Sequence, residues 1–159
     1  MFLRMYTKDD FDALKKQVLT WVIVLLGVFG IFLTIALLVS KNVSNPLGLF
    51  ILVIGVCVDE FIWGVYLRPV VTYRKFVREI LTGRERQRRG YVVDIGEKPV
   101  YKDNKLFYYE VFIQEDESDD VKQMLLLDGN KEPQSIKNDN WYEFDIYQNY
   151  ITGINPIDA

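Results

Sequence analysis

Two long uncharged runs, Val18–Ser40 and Val43–Val58, stand only Lys41-Asn42 apart, and the second leads directly into the carboxylates Asp59 and Glu60. About 20 apolar residues suffice to cross the ~30 Å hydrocarbon layer of a bilayer. Val18–Ser40 does so without a charge, whereas Leu47–Tyr66 does so only if the two carboxylates lie inside the layer or near its edge. The pattern predicts a transmembrane hairpin with spans at about 18–40 and 47–66, within an N-terminal region 1–67. A secretory h-region is only about 7–15 residues long and ends at small residues of the A-x-A kind. The first run is longer and no such site follows, so it is expected to be retained.

Orientation follows from the basic residues in short flanks, with acids counting little. Arg4, Lys8, Lys15 and Lys16 precede the first run, eight Lys/Arg follow the second, and the connection offers only Lys41. Both termini are therefore expected on the cytoplasmic side of a bacterial inner membrane. Trp21, Trp63 and Tyr66 then fall at that same interface, where amphipathic rings are enriched. Thr7 and Asp10 have the spacing of a capping box, with Tyr6 and Phe11 placed as a hydrophobic staple, so a helix is expected to begin near Lys8. Gly27, Gly30 and Thr34 share one face of the first span, and Gly48 and Gly55 share a face of the second. Small residues at matching depth let backbones approach closely, so these faces are expected to pack on each other, or else between protomers.

Asp59 and Glu60 admit two readings. Carboxylates within a span are functional candidates by default, which makes the pair a candidate proton or cation site. With Trp63 marking the interface, however, Asp59 lies only about 6 Å inside it, within reach of water or of Lys15 and Lys16. Neighbouring helical residues diverge by about 100°, which argues against a paired acid/base dyad.

The formal charge of −3 conceals a polarity. Arg68–Arg89 holds eight basic residues against two acids, a balance of +6, while Gly90–Ala159 holds six against fifteen, a balance of −9. In the first stretch, 68–89, Val70, Tyr73, Val77, Ile80 and Leu81 recur at helical spacing up to Gly83. A basic juxtamembrane helix or linker is expected, with Arg68, Arg74, Lys75, Arg78, Arg84, Arg86, Arg88 and Arg89 contacting anionic lipid headgroups. Nucleic acid is not an expected partner, since the run lacks interleaved aromatics and an acidic segment follows.

From Tyr91 the period changes to alternation, with Phe107, Tyr109, Val111 and Ile113 on one face of a run and Tyr142, Phe144 and Ile146 on one face of another. Further strands are expected at Tyr91–Ile95, Val121–Leu127 and Tyr150–Ile154, separated by turns that include Asp128-Gly129-Asn130. About five short strands over 90–159 predict a small all-β barrel of OB or SH3-like type, or a strongly bent open sheet. Tyr108, Trp141, Tyr147 and Tyr150 would offer an exposed aromatic partner surface, but a barrel this small needs most of its large side chains for its core. The acidic run Glu115–Asp120 lacks the alternating ligands and central glycine of an EF-hand and reads as a solvated hairpin tip.

The fold class expected is thus α+β: a two-helix transmembrane hairpin, a basic helix and a small C-terminal barrel. The chain has no histidine, and its single cysteine, Cys57, lies in the second apolar run. No zinc cluster, G-x-S-x-G elbow or phosphate-cradling glycine loop occurs, so neither an enzyme, a metal nor a cofactor is expected. In the order of its parts, though in no motif, the layout resembles NfeD-type membrane proteins and other small barrel-bearing bacterial adaptors. The leading expectation is a non-catalytic membrane adaptor or regulatory subunit whose acidic domain engages a protein partner. Two alternatives are an oligomeric transport or pore subunit using Asp59 or Glu60, and a ligand-gated membrane effector.

Overall fold

The computed structural model describes residues 3–102, 106–115, 122–131 and 136–157. The chain is α+β, with two long apolar helical stretches and one mostly antiparallel sheet. A short strand β1 (Leu3–Arg4) leads into α1 (Lys8–Asn42), and α2 (Asn45–Ile62) passes through a π-helical turn (Trp63–Leu67) into α3 (Arg68–Thr82). The sheet continues with β2 (Arg86–Ile95), β3 (Val100–Lys102), β4 (Leu106–Gln114), β5 (Gln123–Asp128), β6 (Trp141–Tyr147) and β7 (Tyr150–Pro156). Contacts divide the chain into two compact units, Met1–Asp10 with Lys75–Ala159, and Phe11–Arg74.

In the helical unit, α1 is 35 residues long, or about 52 Å, well beyond what a hydrocarbon layer requires. Both α1 and the continuous stretch Asn45–Thr82 are long and apolar enough to cross a membrane. Only 6% and 11% of their most apolar windows are buried. Leu26 is 67% exposed, Phe50 62% and Phe61 64%, which is not how a core helix of a water-soluble protein disposes such side chains. The π turn has a local cause. Pro69 has no N–H and its ring would crowd the carbonyl one turn back; the Arg68 N–H instead reaches five residues back to the Trp63 carbonyl, widening the turn without ending the helix.

In the sheet unit, the order along the main path is β1-β7-β5-β4-β2-β6, with β3 paired to β4 and β7 paired also to β6. The pairings β2–β4–β5–β7–β6–β2 therefore return to their starting strand. All are antiparallel except β5–β7, which meet in parallel at Leu126 and Tyr150. Long β2 manages this by changing partner, lying against β6 from Arg86 to Tyr91 and against β4 from Tyr91 to Ile95. The alternation in the sequence fills the interior: Val92, Val111, Ile113, Leu125, Leu127, Phe144, Ile146, Ile151 and Ile154 are buried. Tyr108, expected at the surface, is buried as well, and Trp141, Tyr147 and Tyr150 are half-buried, so no fully exposed aromatic cluster forms from these four. Pro133, the loop residues 103–105 and the acidic residues 116–120 lie outside the described residues.

Two departures from expectation concern boundaries. The sheet begins at Arg86, before the expected start at Gly90, so the second half of the basic run is strand and not linker. In addition, β1 joins the sheet from the other end of the chain, with Leu3 opposite Ile154 and Arg4 opposite Gly153. Met5 N–H continues this pairing to the Thr152 carbonyl at 2.9 Å. Tyr6, 2% exposed, donates its hydroxyl to Asp128 Oδ2 at 3.0 Å and packs edge-on against Phe76. Asp128 Oδ1 accepts from the Asn130 N–H and side-chain amide, closing the expected turn.

The capping box is formed. Thr7 N–H donates to Asp10 Oδ2 at 2.9 Å and Asp10 N–H donates to Thr7 Oγ1 at 3.2 Å. Lys131 Nζ stands 3.3 Å from the same carboxylate. Burial works to raise the Asp10 carboxyl, but the Thr7 hydrogen bonds and the Lys131 charge outweigh it and hold the group below its ordinary value of 3.8. Because the folded value is depressed, the stabilisation is complete above the ordinary carboxylate range and is lost as pH falls through the lower folded value. In denaturant titrations of the detergent-solubilised protein, the stability gap between wild type and Asp10→Asn is expected to narrow on acidification over that window. Tyr6→Phe is expected to cost about 1–2 kcal/mol, read as faster hydrogen exchange at the Met5 amide.

Candidate functional site

The residues singled out by the sequence separate into three places. In the helical unit, Gly48 and Gly55 are buried against α1. A Cβ at Gly48 would lie 2.7 Å from the Ala36 carbonyl, and one at Gly55 would lie 2.5 Å from Phe32 Cβ, so only glycine permits this approach. Gly27 and Gly30 do not face them: a Cβ at either would meet nothing within 4 Å. With Leu26, Ile31, Thr34 and Ile35 they line an open groove of about 460 Å³. The structure thus seats the α2 glycines on Phe32, Ala36 and Ser40 and leaves the α1 glycine stripe unused by the hairpin. Gly55→Val is expected to destabilise the helix pair by about 1–3 kcal/mol through overpacking, and Gly27→Val to leave it unchanged, in thermal unfolding in detergent.

Asp59 and Glu60 both line a groove of about 330 Å³, together with Leu25, Leu26 and Phe29 of α1, Val56 of α2 and Trp63. The two carboxylates are not equivalent. Glu60 is exposed, whereas Asp59 is half-buried, with its Oδ1 shielded from solvent and lacking a hydrogen-bond partner among the described residues. Their level along the hairpin is marked by a ring pair on the two helices: Trp21 stacks on Tyr66 with centroids 4.7 Å apart and planes 21° from parallel. Level with Trp21 is therefore Tyr66, and Asp59 lies seven residues, or about 10 Å, further along α2. Lys15 and Lys16 lie about 7–9 Å to the other side of Trp21, and Lys15 pairs with Asp12 at 3.0 Å. Among the described residues, no ion pair joins Asp59 to Lys15 or Lys16.

The eight basic residues divide as well. On α3, Val77 and Ile80 are buried within the sheet unit, and Phe76 packs edge-on against Tyr150, so these apolar residues are occupied by protein. Arg68, Lys75 and Arg78 are exposed and Arg74 is half-buried; Lys75 stands 3.9 Å from Glu79. Arg84, Arg86, Arg88 and Arg89 are exposed. Arg88 hydrogen-bonds to Gln123 and stands 3.6 Å from Glu115, and Arg89 is 3.6 Å from Glu143. Part of the positive charge is thus answered by the acidic sheet unit itself, an arrangement invisible in sequence because the acids lie far along the chain.

Among the described residues, no group of three or more His, Cys, Asp or Glu side chains is placed to hold a metal ion. Cys57 is a free thiol, exposed on α2. No family model, curated protein or solved structure matches the chain.

Proposed function

We propose that the protein is a membrane-anchored adaptor or regulatory subunit in which α1 and α2 cross the bilayer as a hairpin and the sheet domain engages a protein partner on the side that holds both termini. The observation that carries this reading is the pairing of β1 with β7. A strand that precedes the first apolar helix shares a sheet with strands that follow the second, which supports placing both ends of the hairpin in one compartment. The basic flanks favour the cytoplasm of a bacterial cell for that compartment. Support for the span comes from the exposed apolar side chains of both helices, which lipid would cover. The closed circuit of pairings, with its one parallel junction between β5 and β7, supports a small barrel of OB type. The net charge of −9 over 90–159 suits a basic protein surface as partner.

Single cysteines at Leu3 and Asp139 in a Cys57→Ser background test the topology. Both are expected to resist a membrane-impermeant thiol reagent in intact cells and to react together after lysis; opposite behaviour of the two would overturn the hairpin. For the recruiting role, crosslinking in native membranes is expected to recover partners with the full chain and to lose them when the chain is truncated after Arg89.

A second reading has one specific observation in its favour, the unpartnered Oδ1 of Asp59. In a transport or pore subunit, Asp59 would serve as the proton or cation site and Glu60 would sit at the groove mouth. Asp59→Asn is expected to abolish a proton or cation flux across proteoliposomes if this reading holds and to leave crosslinked partners unchanged if the adaptor reading holds.

A further inference from the structure

The ring pair Trp21–Tyr66 fixes a common level on the two helices of the hairpin, which allows the basic residues of both to be placed on one scale. On α1 the outward direction runs to lower numbers, and on α2 to higher ones. Lys16 lies five residues, about 7–8 Å, outward of Trp21, and Arg68 lies two residues, about 3 Å, outward of Tyr66. Long basic side chains reach several ångströms beyond their backbones and snorkel towards phosphate level. Both belong to the helical unit, both are exposed, and neither forms an ion pair among the described residues. Lys15 is different, being held by Asp12 at 3.0 Å and lying 4.8 Å from the Phe11 ring centroid.

The other basic residues are less suited to lipid. Val77 and Ile80 are buried in the sheet unit, so the apolar face they form on α3 is not free to lie in a bilayer. Arg88 and Arg89 stand beside Glu115 and Glu143. Lys16 and Arg68 are thus the exposed cations of the helical unit nearest the ring pair that no carboxylate answers among the described residues.

We propose that Lys16 and Arg68 form a phosphate-binding collar around the Trp21–Tyr66 stack that selects anionic phospholipid headgroups. The proposal rests on the membrane reading above and names the lipid that reading leaves open. The rings would lie at the boundary of the apolar layer, where Trp and Tyr are enriched, with the two cations one step further out at the phosphates.

The test uses the full chain with Trp141→Phe, reconstituted into vesicles of equal parts phosphatidylcholine and phosphatidylglycerol. One or the other lipid is brominated, so that quenching of Trp21 and Trp63 reports which lipid is adjacent. Preferential quenching by brominated phosphatidylglycerol is expected. Lys16→Gln with Arg68→Gln is expected to reduce the preference by about fivefold for each residue. Lys16→Arg with Arg68→Lys should retain it, and Arg84→Gln with Arg86→Gln should leave it unchanged. Quenching by both lipids without preference, or equal loss of preference in the Arg84 and Arg86 variant, would overturn the collar while leaving the membrane reading intact. Loss of preference on adding inorganic phosphate, beyond that caused by chloride at equal ionic strength, would assign the site to free phosphate and overturn the lipid proposal. Absence of quenching by either lipid would overturn the membrane reading and the collar with it.

Discussion

Residues Leu3 to Tyr6 fasten the beginning of the chain to its end. The β1–β7 pairing joins positions such as Leu3 and Ile154, and the Tyr6 hydroxyl reaches Asp128. Contacts this distant in sequence ordinarily carry a large closure entropy. The two-residue connection between α1 and α2, together with the Trp21–Tyr66 stack, brings the outward ends of the hairpin level with each other, which shortens the effective loop that the pairing has to close. Under the proposed membrane reading it would also keep both ends of the hairpin on one side, because one sheet cannot be divided by a bilayer.

Asp59 illustrates why depth must be measured against the correct reference. Taken from Trp63, the carboxylate is a shallow interfacial acid within reach of lysine. Taken from the ring that Trp21 stacks on, it lies about one helical turn deeper, and its Oδ1 lacks a partner among the described residues. Sequence alone could not choose between Trp63 and Tyr66, since both suit an interface.

What was legible in the sequence was whatever periodicity or a local side-chain bond enforces. The two apolar runs, the Thr7–Asp10 cap, the Asp128 turn, Val111 and Ile113 of β4 and the Tyr142, Phe144 and Ile146 face of β6 were all legible in this way. Four features escaped for physical reasons. Leu3–Arg4 is too short to show a period, and its strand character exists only through β7. Arg86–Arg89 is exposed on both faces of β2, so the strand has no apolar alternation there and resembles a linker. The glycines of α1 and α2 gave equivalent stripes, but which stripe meets the other helix depends on Phe32 and Ala36, which no spacing rule ranks against Gly27 and Gly30. Asp145, whose place in the alternation pointed outward, is 7% exposed beside the register shift between β6 and β7. A one-residue irregularity is enough to displace a side chain from its expected environment.

Between the last residue of α1 and the first of α2 lie only Val43 and Ser44, and the sole charge nearby is Lys41. If the hairpin crosses a bilayer as proposed, a tip this small would hand almost nothing across during biosynthesis: one ammonium group and a few amides. It could enter as a wedge from the side where it was made. The far compartment would then receive no surface large enough to sense, and signals exchanged by this protein would have to be read on the side that carries the sheet.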